Sequence, residues 1–395
     1  MSTESNWKPS LGFAERLSTV IKIQSSYQKS DPRVEKPNIA KFAKEEEQEI
    51  YDSALTLVDY RLQCDQIINN LKGRAAPDDE EEESLDTGVP EAIHIGKYVN
   101  AVHFRDGLYS DVYKAPNRTE KPKMVALKVT YPSAMQPPHN SEREIRILRA
   151  AASEHVVSLL DVFRDSAGEL AGTRLVLVFP LLRYDLDHAL RHKLVQEDQA
   201  KQHLKHVLSA LDWIHNLGMI HRDVKPSNIL LQNPSGPAYL ADFGVAWYEK
   251  DPSSEPSDHK ILDVGTTHYR PPELLFGNSK YTKAIDLWAA GCVLAEIASI
   301  KSDLQPLFDC TEGSELCLIS SIFQSLGTPT ADTWPEAMSF PNWGSLEFVQ
   351  HKPKPWSELL PSACGEAQDL ISKLIRYQSS DRITAAEAAG HAYFG

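Results

Sequence analysis

Two short strings near the middle of the chain hold the side chains that could do chemistry. They are His221-Arg222-Asp223-Val224-Lys225-Pro226-Ser227-Asn228 and Asp242-Phe243-Gly244. Transfer of a phosphoryl group to a hydroxyl needs a carboxylate that orients and deprotonates the hydroxyl, an ammonium near the γ-phosphate, and oxygen ligands for Mg²⁺. Asp223 and Lys225 match the first two roles. Asn228 and Asp242 match the third, in the order and spacing that this chemistry requires. We therefore predict a phosphoryl-transfer site in which the first two residues are catalytic and the last two bind the metal.

A second charged pair lies upstream of these strings. Lys128 ends the strand pattern Val125-Ala126-Leu127-Lys128, and Glu144 lies on the helix pattern that follows. An ammonium can grip the α- and β-phosphates of a nucleotide only if a carboxylate fixes its direction. We therefore predict an ion pair between Lys128 and Glu144, with Lys128 as a further catalytic residue.

The elements that must position these residues change in type along the chain. Strand patterns dominate up to about residue 180, interrupted by one helix pattern at Ser141–Ala151, and helix patterns such as Gln199–Leu217 and Ala284–Ser299 dominate after residue 185. The strand patterns are Ala101–Arg105, Asp111–Ala115, Met124–Thr130, Val156–Phe163 and Arg174–Phe179, and Ile229–Leu231 and Ala238–Ala241 separate the two strings. A β-rich part followed by an α-rich part predicts two lobes with a cleft between them.

Residues 1–90 differ in composition from the rest, and we predict them to be a separate helical, acidic extension and linker. Between residues 41 and 86 there are 14 acidic and 5 basic residues. Leu11–Ile23 reads as a helix, and Glu46–Leu71 reads as a second one. Its apolar stripe is Ile50, Ala54, Leu57, Val58, Leu62, Ile68 and Leu71. Asp78–Glu83 is a run of like charges that predicts a solvated linker, with an acidic docking tail as the alternative.

Composition excludes several classes of protein. The formal net charge of −14 argues against general binding of nucleic acid or of an anionic membrane. The apolar stretches are too short to span a bilayer, and the first ten residues lack the pattern of a secretory leader. The five cysteines are sparse and predict reduced thiols. We therefore expect a cytoplasmic or nuclear protein.

With these motifs, residues 93–395 resemble a eukaryotic protein kinase, and the lysine at position 225 resembles that of the Ser/Thr branch of the family. Three further strings carry the resemblance, namely Pro271-Pro272-Glu273, Asp286-Leu287-Trp288 with Gly291, and Asp381-Arg382-Ile383. The resemblance implies an α+β, two-lobed protein kinase fold over residues 91–395, with a small β-rich N-lobe to about residue 182 and a large α-rich C-lobe beyond it. It also implies ATP and Mg²⁺ as cofactors, a protein substrate, and a buried ion pair between Glu273 and Arg382.

The resemblance extends to one group of kinases and to the nucleotide pocket. YRPPELLFG (Tyr269–Gly277), GCVLAE (Gly291–Glu296) and LGTP (Leu326–Pro329) look like the cyclin-dependent kinase group. In such kinases adenine lies between side chains that match Ala126 and Leu230, beyond Phe179. The carbonyl of Pro180 and the N–H of Leu182 would bind it.

Three departures from the pattern bear on regulation. The phosphate-covering loop, Arg105–Val112, keeps only Gly107 and Val112 of its GxGxxGxV pattern, which predicts weakened nucleotide cover. Glu142 stands where a cyclin would need an apolar contact, so dependence on a cyclin is doubtful. The position of the activating phosphothreonine falls on Ile261, with Ser253, Ser254 and Ser257 as alternatives if the longer loop shifts the alignment, and Trp247 replaces one of the three arginines that would bind the phosphate.

These departures look like the divergent fungal kinases that activate cyclin-dependent kinases as single subunits. The leading hypothesis is therefore an active, monomeric Ser/Thr kinase that phosphorylates a protein, with a cyclin-dependent kinase as the candidate substrate. Two alternatives stay open, a conventional cyclin-partnered kinase and a pseudokinase scaffold with a degenerate glycine loop. Thr266 matches a threonine that touches the catalytic Asp and Lys in this family, which implies a structural role.

Overall fold

The computed structural model describes residues 93–395 apart from 108, 119–120, 167–172, 303 and 311–313. Of the first 92 residues it describes 36–54 and the single positions 8, 16, 19–20, 22–24, 27, 60, 63–64 and 67. The chain forms two compact units, residues 1–87 and residues 88–395. None of the five cysteines lies in a disulfide. Among the described residues, every helix is too short or too polar to cross a bilayer.

In the first unit the principal described helix is α1, Lys36–Ser53. It begins and ends earlier than the predicted helix Glu46–Leu71. Of the predicted apolar stripe, Ile50 and Ala54 are buried and cluster with Tyr60 and Cys64. The other five residues of the stripe, and Asp78–Glu83, lie outside the described residues.

The second unit begins with an antiparallel sheet of six described strands in the order β1-β2-β3-β4-β6-β5. They are β1 (Ile93–Ile95), β2 (Tyr98–Asp106), β3 (Ser110–Pro116), β4 (Met124–Thr130), β5 (Asp161–Ser166) and β6 (Thr173–Pro180). In β4, Val125, Leu127 and Val129 are fully buried and alternate with less buried residues, as expected for a strand with one face on a core. Five short strands follow, namely β7 (Tyr184–Asp185), β8 (Met219–Ile220), β9 (Ile229–Leu231), β10 (Ala238–Leu240) and β11 (Trp247–Tyr248). They form a three-stranded sheet in the order β10-β9-β7 and a two-stranded sheet of β11 and β8.

Helices make up most of the remainder. They are α2 (Ser141–Ala150), α3 (Leu186–Arg191), α4 (Glu197–Asn216), α5 (Pro272–Leu275), α6 (Ala284–Ala298), α7 (Glu315–Leu326), α8 (Trp356–Leu359), α9 (Gly365–Leu374) and α10 (Ala385–Ala389). Every residue of α6 is buried, so this helix lies at the centre of the helical part. The predicted two-lobed α+β fold is confirmed.

One strand prediction was wrong. The apolar run Val156–Phe163 does not form a strand throughout, because β5 starts only at Asp161. The amide of Val157 instead donates to the carbonyl of Leu240 at 2.9 Å, in the helical part, and the amide of Leu160 donates to the carbonyl of Val178 at 2.8 Å. Val156 and Val157 pack in the core of the helical part, whereas Leu160 is exposed. Apolar composition alone cannot distinguish such a connecting segment from a strand.

Buried charges in the helical part have partners. Arg382 makes two hydrogen bonds to Glu273, at 2.5 and 2.8 Å, and both side chains are fully buried. The ion pair that the resemblance implied is therefore present. By the resemblance, Asp242–Glu273 is the activation segment, and the ion pair joins its end to the loop that contains Arg382. Breaking such a pair leaves an uncompensated buried charge.

A different buried carboxylate, that of Glu296, makes the free energy of unfolding depend on pH. Glu296, on α6, accepts a hydrogen bond from the hydroxyl of Tyr269 at 2.7 Å. Burial raises the pKa of Glu296 to about 7. Because the folded state then binds the proton more tightly than the unfolded state, its stabilising effect is complete below the unfolded pKa and is lost as pH rises through the folded pKa.

We predict that Glu296→Gln removes this dependence. The free energy of unfolding of the unsubstituted chain, taken relative to the variant, should fall by about 3 kcal/mol between pH 5 and pH 8. Urea denaturation of both proteins at several pH values measures it. A difference that is constant with pH would contradict the prediction.

Candidate active site

A cavity of about 380 Å³ lies between the sheet and the helical part. Its lining includes all the residues predicted to bind nucleotide or metal, namely Gly107, Val112, Ala126, Lys128, Glu144, Leu182, Asn228, Leu230 and Asp242, and also the predicted catalytic residue Lys225. Asp223 does not line this cavity, but it contacts Lys225 and Asn228, which do. The structure therefore brings the predicted residues together in one cleft.

Lys128 lies at the centre of the charged end of the cleft. Its Nζ is 2.7 Å from Oε1 of Glu144 and 2.8 Å from Oδ1 of Asp242, so the predicted ion pair is present. Burial lowers the pKa of Lys128, but the two carboxylates outweigh that effect and raise it. The charge of Lys128 holds the pKa of Asp242 well below its usual value, whereas burial raises the pKa of Glu144. The ammonium is thus charged and held in one direction.

Local sequence explains how α2 presents Glu144. Asn140 caps the helix, and its side chain accepts a hydrogen bond from the amide of Arg143 at 2.9 Å. The apolar side chains of Ile145, Ile147 and Leu148 are buried, which fixes the rotation of the helix. Glu144 therefore points inward to β4.

One buried aspartate anchors the loop His221–Asn228, which is called the catalytic loop below. Asp286, on α6, accepts hydrogen bonds from the amide of His221 at 2.9 Å, from the amide of Arg222 at 2.9 Å, and from Nε2 of His215 at 2.8 Å. The His221 ring also bonds to the carbonyl of Ala241 at 3.0 Å and lies edge-on to Phe243. The loop and the Asp242-Phe243-Gly244 string are therefore held in a fixed relation by the core helix.

Around Asp223 the side chains form one hydrogen-bonded group. The hydroxyl of Thr266 donates to Oδ1 of Asp223 at 2.8 Å and accepts from Nζ of Lys225 at 2.7 Å. Lys225 is also 2.8 Å from Oδ2 of the same carboxylate. The contact of Thr266 with both residues, which the resemblance implied, is present. It links Thr266 to the carboxylate of Asp223 and to Lys225.

Two side chains offer oxygen atoms suited to Mg²⁺. Nδ2 of Asn228 donates to the carbonyl of Asp223 at 2.8 Å and to Oδ2 of Asp223 at 2.9 Å. Because both donor bonds come from the nitrogen, the amide oxygen of Asn228 is the atom that a cation would meet. Asp242 has a positive φ of 63° and a side chain that is 51% exposed. Carboxylate and amide oxygens are the donors that Mg²⁺ prefers, so this pair fits the metal.

The β2–β3 hairpin covers the cleft with little glycine. The amide of Gly107 donates to the carbonyl of Ser110 at 2.7 Å, and a Cβ on Gly107 would lie 2.8 Å from Oγ of Ser110. This glycine is thus needed for the tight turn. Arg105 pairs with Val112 across the hairpin and forms an ion pair with Asp185 at 2.7 Å. No sequence signal indicated that ion pair, because it joins residues far apart in the chain.

The comparisons with known proteins agree with this geometry. The protein kinase domain matches residues 98–394, and the chain therefore belongs to the protein kinase family. It is 36% identical over 281 residues to the serine/threonine-protein kinase csk1 of Schizosaccharomyces pombe, an alignment that covers 70% of this chain and 88% of the relative. It is 34% identical over 295 residues to cyclin-dependent kinase 20 of Pongo abelii, covering 73% of this chain and 80% of the relative.

A plant relative has a similar level of identity. Cyclin-dependent kinase D-1 of Arabidopsis thaliana is 32% identical over 303 residues, covering 75% of this chain and 71% of the relative. The chain is a protein serine/threonine kinase of the cyclin-dependent kinase group. The resemblance drawn from the sequence is confirmed.

The anchor of the catalytic loop supplies a prediction. The amide of His221 donates to Oδ2 of Asp286 and that of Arg222 to Oδ1, and Asp286→Asn leaves only one acceptor oxygen, so one of the two amides faces an NH2 group that cannot accept. We expect the free energy of unfolding to fall by about 1–3 kcal/mol and hydrogen exchange of these two amides to accelerate. Urea denaturation measures the free energy of unfolding, and mass spectrometry measures the rate of hydrogen exchange. The exposed Asp332→Asn is the matched control, and equal exchange in both variants would contradict the prediction.

Proposed function

We propose that this chain is an active kinase that transfers the γ-phosphate of ATP to a protein hydroxyl, with Mg²⁺ as the metal. The observation that carries the proposal is the position of Lys128, within 2.8 Å of both Glu144 and Asp242. An ammonium held by a buried carboxylate on α2 is what phosphate binding requires. The same observation speaks against the pseudokinase alternative, because a scaffold has no need of this arrangement.

Each residue then has a role that its contacts support. When bound, ATP supplies the phosphoryl group and Mg²⁺ balances the charge of its oxygens. Lys128 would hold the α- and β-phosphates, and the oxygens of Asn228 and Asp242 would hold the metal. Asp223 would orient the acceptor hydroxyl and accept its proton, while Lys225 balances negative charge beside it.

The nucleotide base has a suitable apolar site. Ala126 on β4 lies opposite Phe179 on β6, and Ala126, Phe179 and Leu230 line the cavity. The connector after β6, which contains Leu182, also lines it. An adenine ring could lie between Ala126 and Leu230 and bond to the backbone of the connector.

As substrate we propose the activation loop of a cyclin-dependent kinase, phosphorylated by this chain as a single, monomeric subunit. Support comes from the departures seen in the sequence. Ile261, at the place expected for a phosphothreonine, packs with the apolar cluster that contains Trp247 and Val264. Glu142 is paired with Arg164 at 2.6 Å on the outside of the lobe. Neither position is built for the usual phosphate or cyclin. We also propose that residues 1–90 are a separate extension and that the protein acts in the cytoplasm or nucleus.

Two substitutions test the chemistry. We predict that Asp223→Asn and Asp242→Asn each lower kinase activity at least about a hundredfold in a folded protein. The first removes the carboxylate that orients the hydroxyl, and the second removes a metal ligand. A radiolabel assay with a generic protein acceptor and Mg·ATP measures the rate, and thermal melting confirms folding. The exposed Asp258→Asn is the control. Near-normal turnover in either variant would exclude these roles.

A second experiment tests the substrate. The chain, purified from bacteria without a cyclin, should phosphorylate a catalytically inactive cyclin-dependent kinase and should not phosphorylate its Thr→Ala acceptor variant. If only a generic protein is phosphorylated, the kinase assignment stands and the substrate proposal fails. If activity appears only after a cyclin is added, the cyclin-partnered alternative replaces the single-subunit proposal.

A further inference from the structure

A cluster of buried positive charge lies beneath the activation segment. Arg143 comes from α2 and Arg222 from the catalytic loop, and their side chains are 3% and 0% exposed. Lys260 is also buried, with its Nζ 4.9 Å from the centre of the Trp247 ring and 5.1 Å from that of Tyr281. Burial, and then the charge of Arg222, lowers the pKa of Arg143. Such a cluster needs an anion to be stable.

Glu255 supplies that anion. Its Oε2 lies 3.3 Å from Nη1 of Arg222 and 3.9 Å from Nη1 of Arg143. Its Oε1 lies 3.4 Å from both Nη1 and Nη2 of Arg222. The carbonyl of Glu255 accepts the indole N–H of Trp247 at 2.8 Å, and the side chain is only 13% exposed. Both the backbone and the carboxylate of this residue are therefore fixed in place.

Through the two arginines, Glu255 connects to the catalytic parts. Arg143 immediately precedes Glu144, the partner of Lys128. Arg222 immediately precedes Asp223, and its Nε donates to the carbonyl of Val245 at 2.5 Å, just after the Asp242-Phe243-Gly244 string. One carboxylate thus bears on the helix, the catalytic loop and the start of the activation segment.

A neighbouring ion pair strengthens the link to α2. Arg146, one turn after Arg143, bonds to the carboxylate of Asp251 at 2.6 and 3.0 Å. Although burial acts to raise it, hydrogen bonds from Arg146 and Ser253 lower the pKa of Asp251 to about 2. The hydroxyl of Ser253 donates to this carboxylate at 2.7 Å. The Ser253 hydroxyl also accepts from Arg146 at 2.9 Å, but that guanidinium is already paired with Asp251. A phosphate on Ser253 would therefore compete with an ionised aspartate for the same arginine, so this serine is poorly placed to carry the activating charge.

We propose that Glu255 is a positioning residue that does in this chain what a phosphate on the activation segment does in the kinases it resembles. Its carboxylate holds Arg143 and Arg222 so that Glu144 and Asp223 lie in their working positions, and the loop is ordered without phosphorylation. This inference rests on the proposed kinase function. The inference goes beyond that function because it predicts that the activation segment is ordered in the unphosphorylated chain.

The test compares variants that keep or remove the charge at this position. Glu255→Gln keeps the shape and should lower kcat by about 10- to 100-fold with the KM for ATP changed less than about threefold, because misplaced groups slow the chemical step. Glu255→Asp should retain more activity than Glu255→Gln. Glu249→Gln, an exposed position on the same segment, is the matched control and should be unchanged.

A chemical rescue separates charge from packing. Glu255→Cys, modified with an ethylsulfonate methanethiosulfonate, should recover activity, whereas the trimethylammonium analogue should not. The unsubstituted chain with each reagent controls for its own cysteines, of which Cys364 is exposed. Activity that persists in full in Glu255→Gln, or rescue by both reagents equally, would overturn the proposal.

One readout does not depend on activity. Hydrogen exchange should accelerate in Ser141–Ala150 and in residues 245–258 of Glu255→Gln, and not in Glu249→Gln. If the unsubstituted chain shows no kinase activity, the proposed function fails while this measurement still tests Glu255. Unphosphorylated chain, checked by mass spectrometry after phosphatase treatment, should keep full activity. Activity that requires a phosphate on Ser253, Ser254 or Ser257 would exclude the proposed role of Glu255.

Discussion

A buried lysine that must find negative partners is the constraint on which the cleft depends. The side chain of Lys128 is largely buried at the charged end of the cleft, where an unpaired ammonium would be very costly. Its two partners come from different places in the chain, Glu144 from α2 and Asp242 from the segment after β10. To satisfy one charge, the sheet, the helix and the helical part must meet at one point. The cleft forms where they meet.

The same rule extends outward from Lys128 through consecutive residues. Lys128 is paired with Glu144, and Arg143 immediately precedes Glu144 in the sequence. Arg143 in turn faces Glu255. Glu255 also faces Arg222, which immediately precedes Asp223. Each of these side chains is largely buried, so each depends on its partner for stability. A shift of α2 would separate several pairs together. Buried ion pairs of this kind are poor sources of net stability but strong determinants of one arrangement over another, and a kinase cleft needs the arrangement.

The sequence predicted those parts of the site that short-range patterns encode. The strings around Asp223 and Asp242, and the strand that ends at Lys128, are local, and the roles of their residue types follow from phosphoryl-transfer chemistry. The strand β4 was predicted with its correct bounds, Met124–Thr130. By contrast, the prediction of a strand over Val156–Phe163 was wrong because its apolar residues serve a connecting segment, of which only Val156 and Val157 are buried. The ion pair of Arg105 with Asp185 gave no signal at all, since nothing local relates the two residues.

Glu255 shows the same limit more sharply. Counting back from Tyr269 led to Ile261, and that side chain packs against an apolar cluster. The anion that meets the arginines comes from earlier in the loop, in a stretch whose longer path could not be predicted from spacing. The signal that could have indicated it is chemical rather than positional. Of the three arginines that the resemblance implies around a phosphate, Arg143 and Arg222 are present, although the phosphothreonine position is Ile261. Buried arginines need an anion.

The charges in this region are consistent with a carboxylate rather than a phosphate. A phosphate carries close to two negative charges and offers three acceptor oxygens, whereas a carboxylate carries one charge and two oxygens. The third arginine expected from the resemblance is Trp247, whose indole binds the backbone carbonyl of Glu255 and makes no demand on its charge. Among the groups that would contact the anion directly, one arginine is absent and two negative charges are replaced by one, while Lys260 lies over the rings of Trp247 and Tyr281. The loss of the arginine and the gain of the carboxylate therefore belong to one physical solution, in which the strength of the anion and the number of cations around it change together.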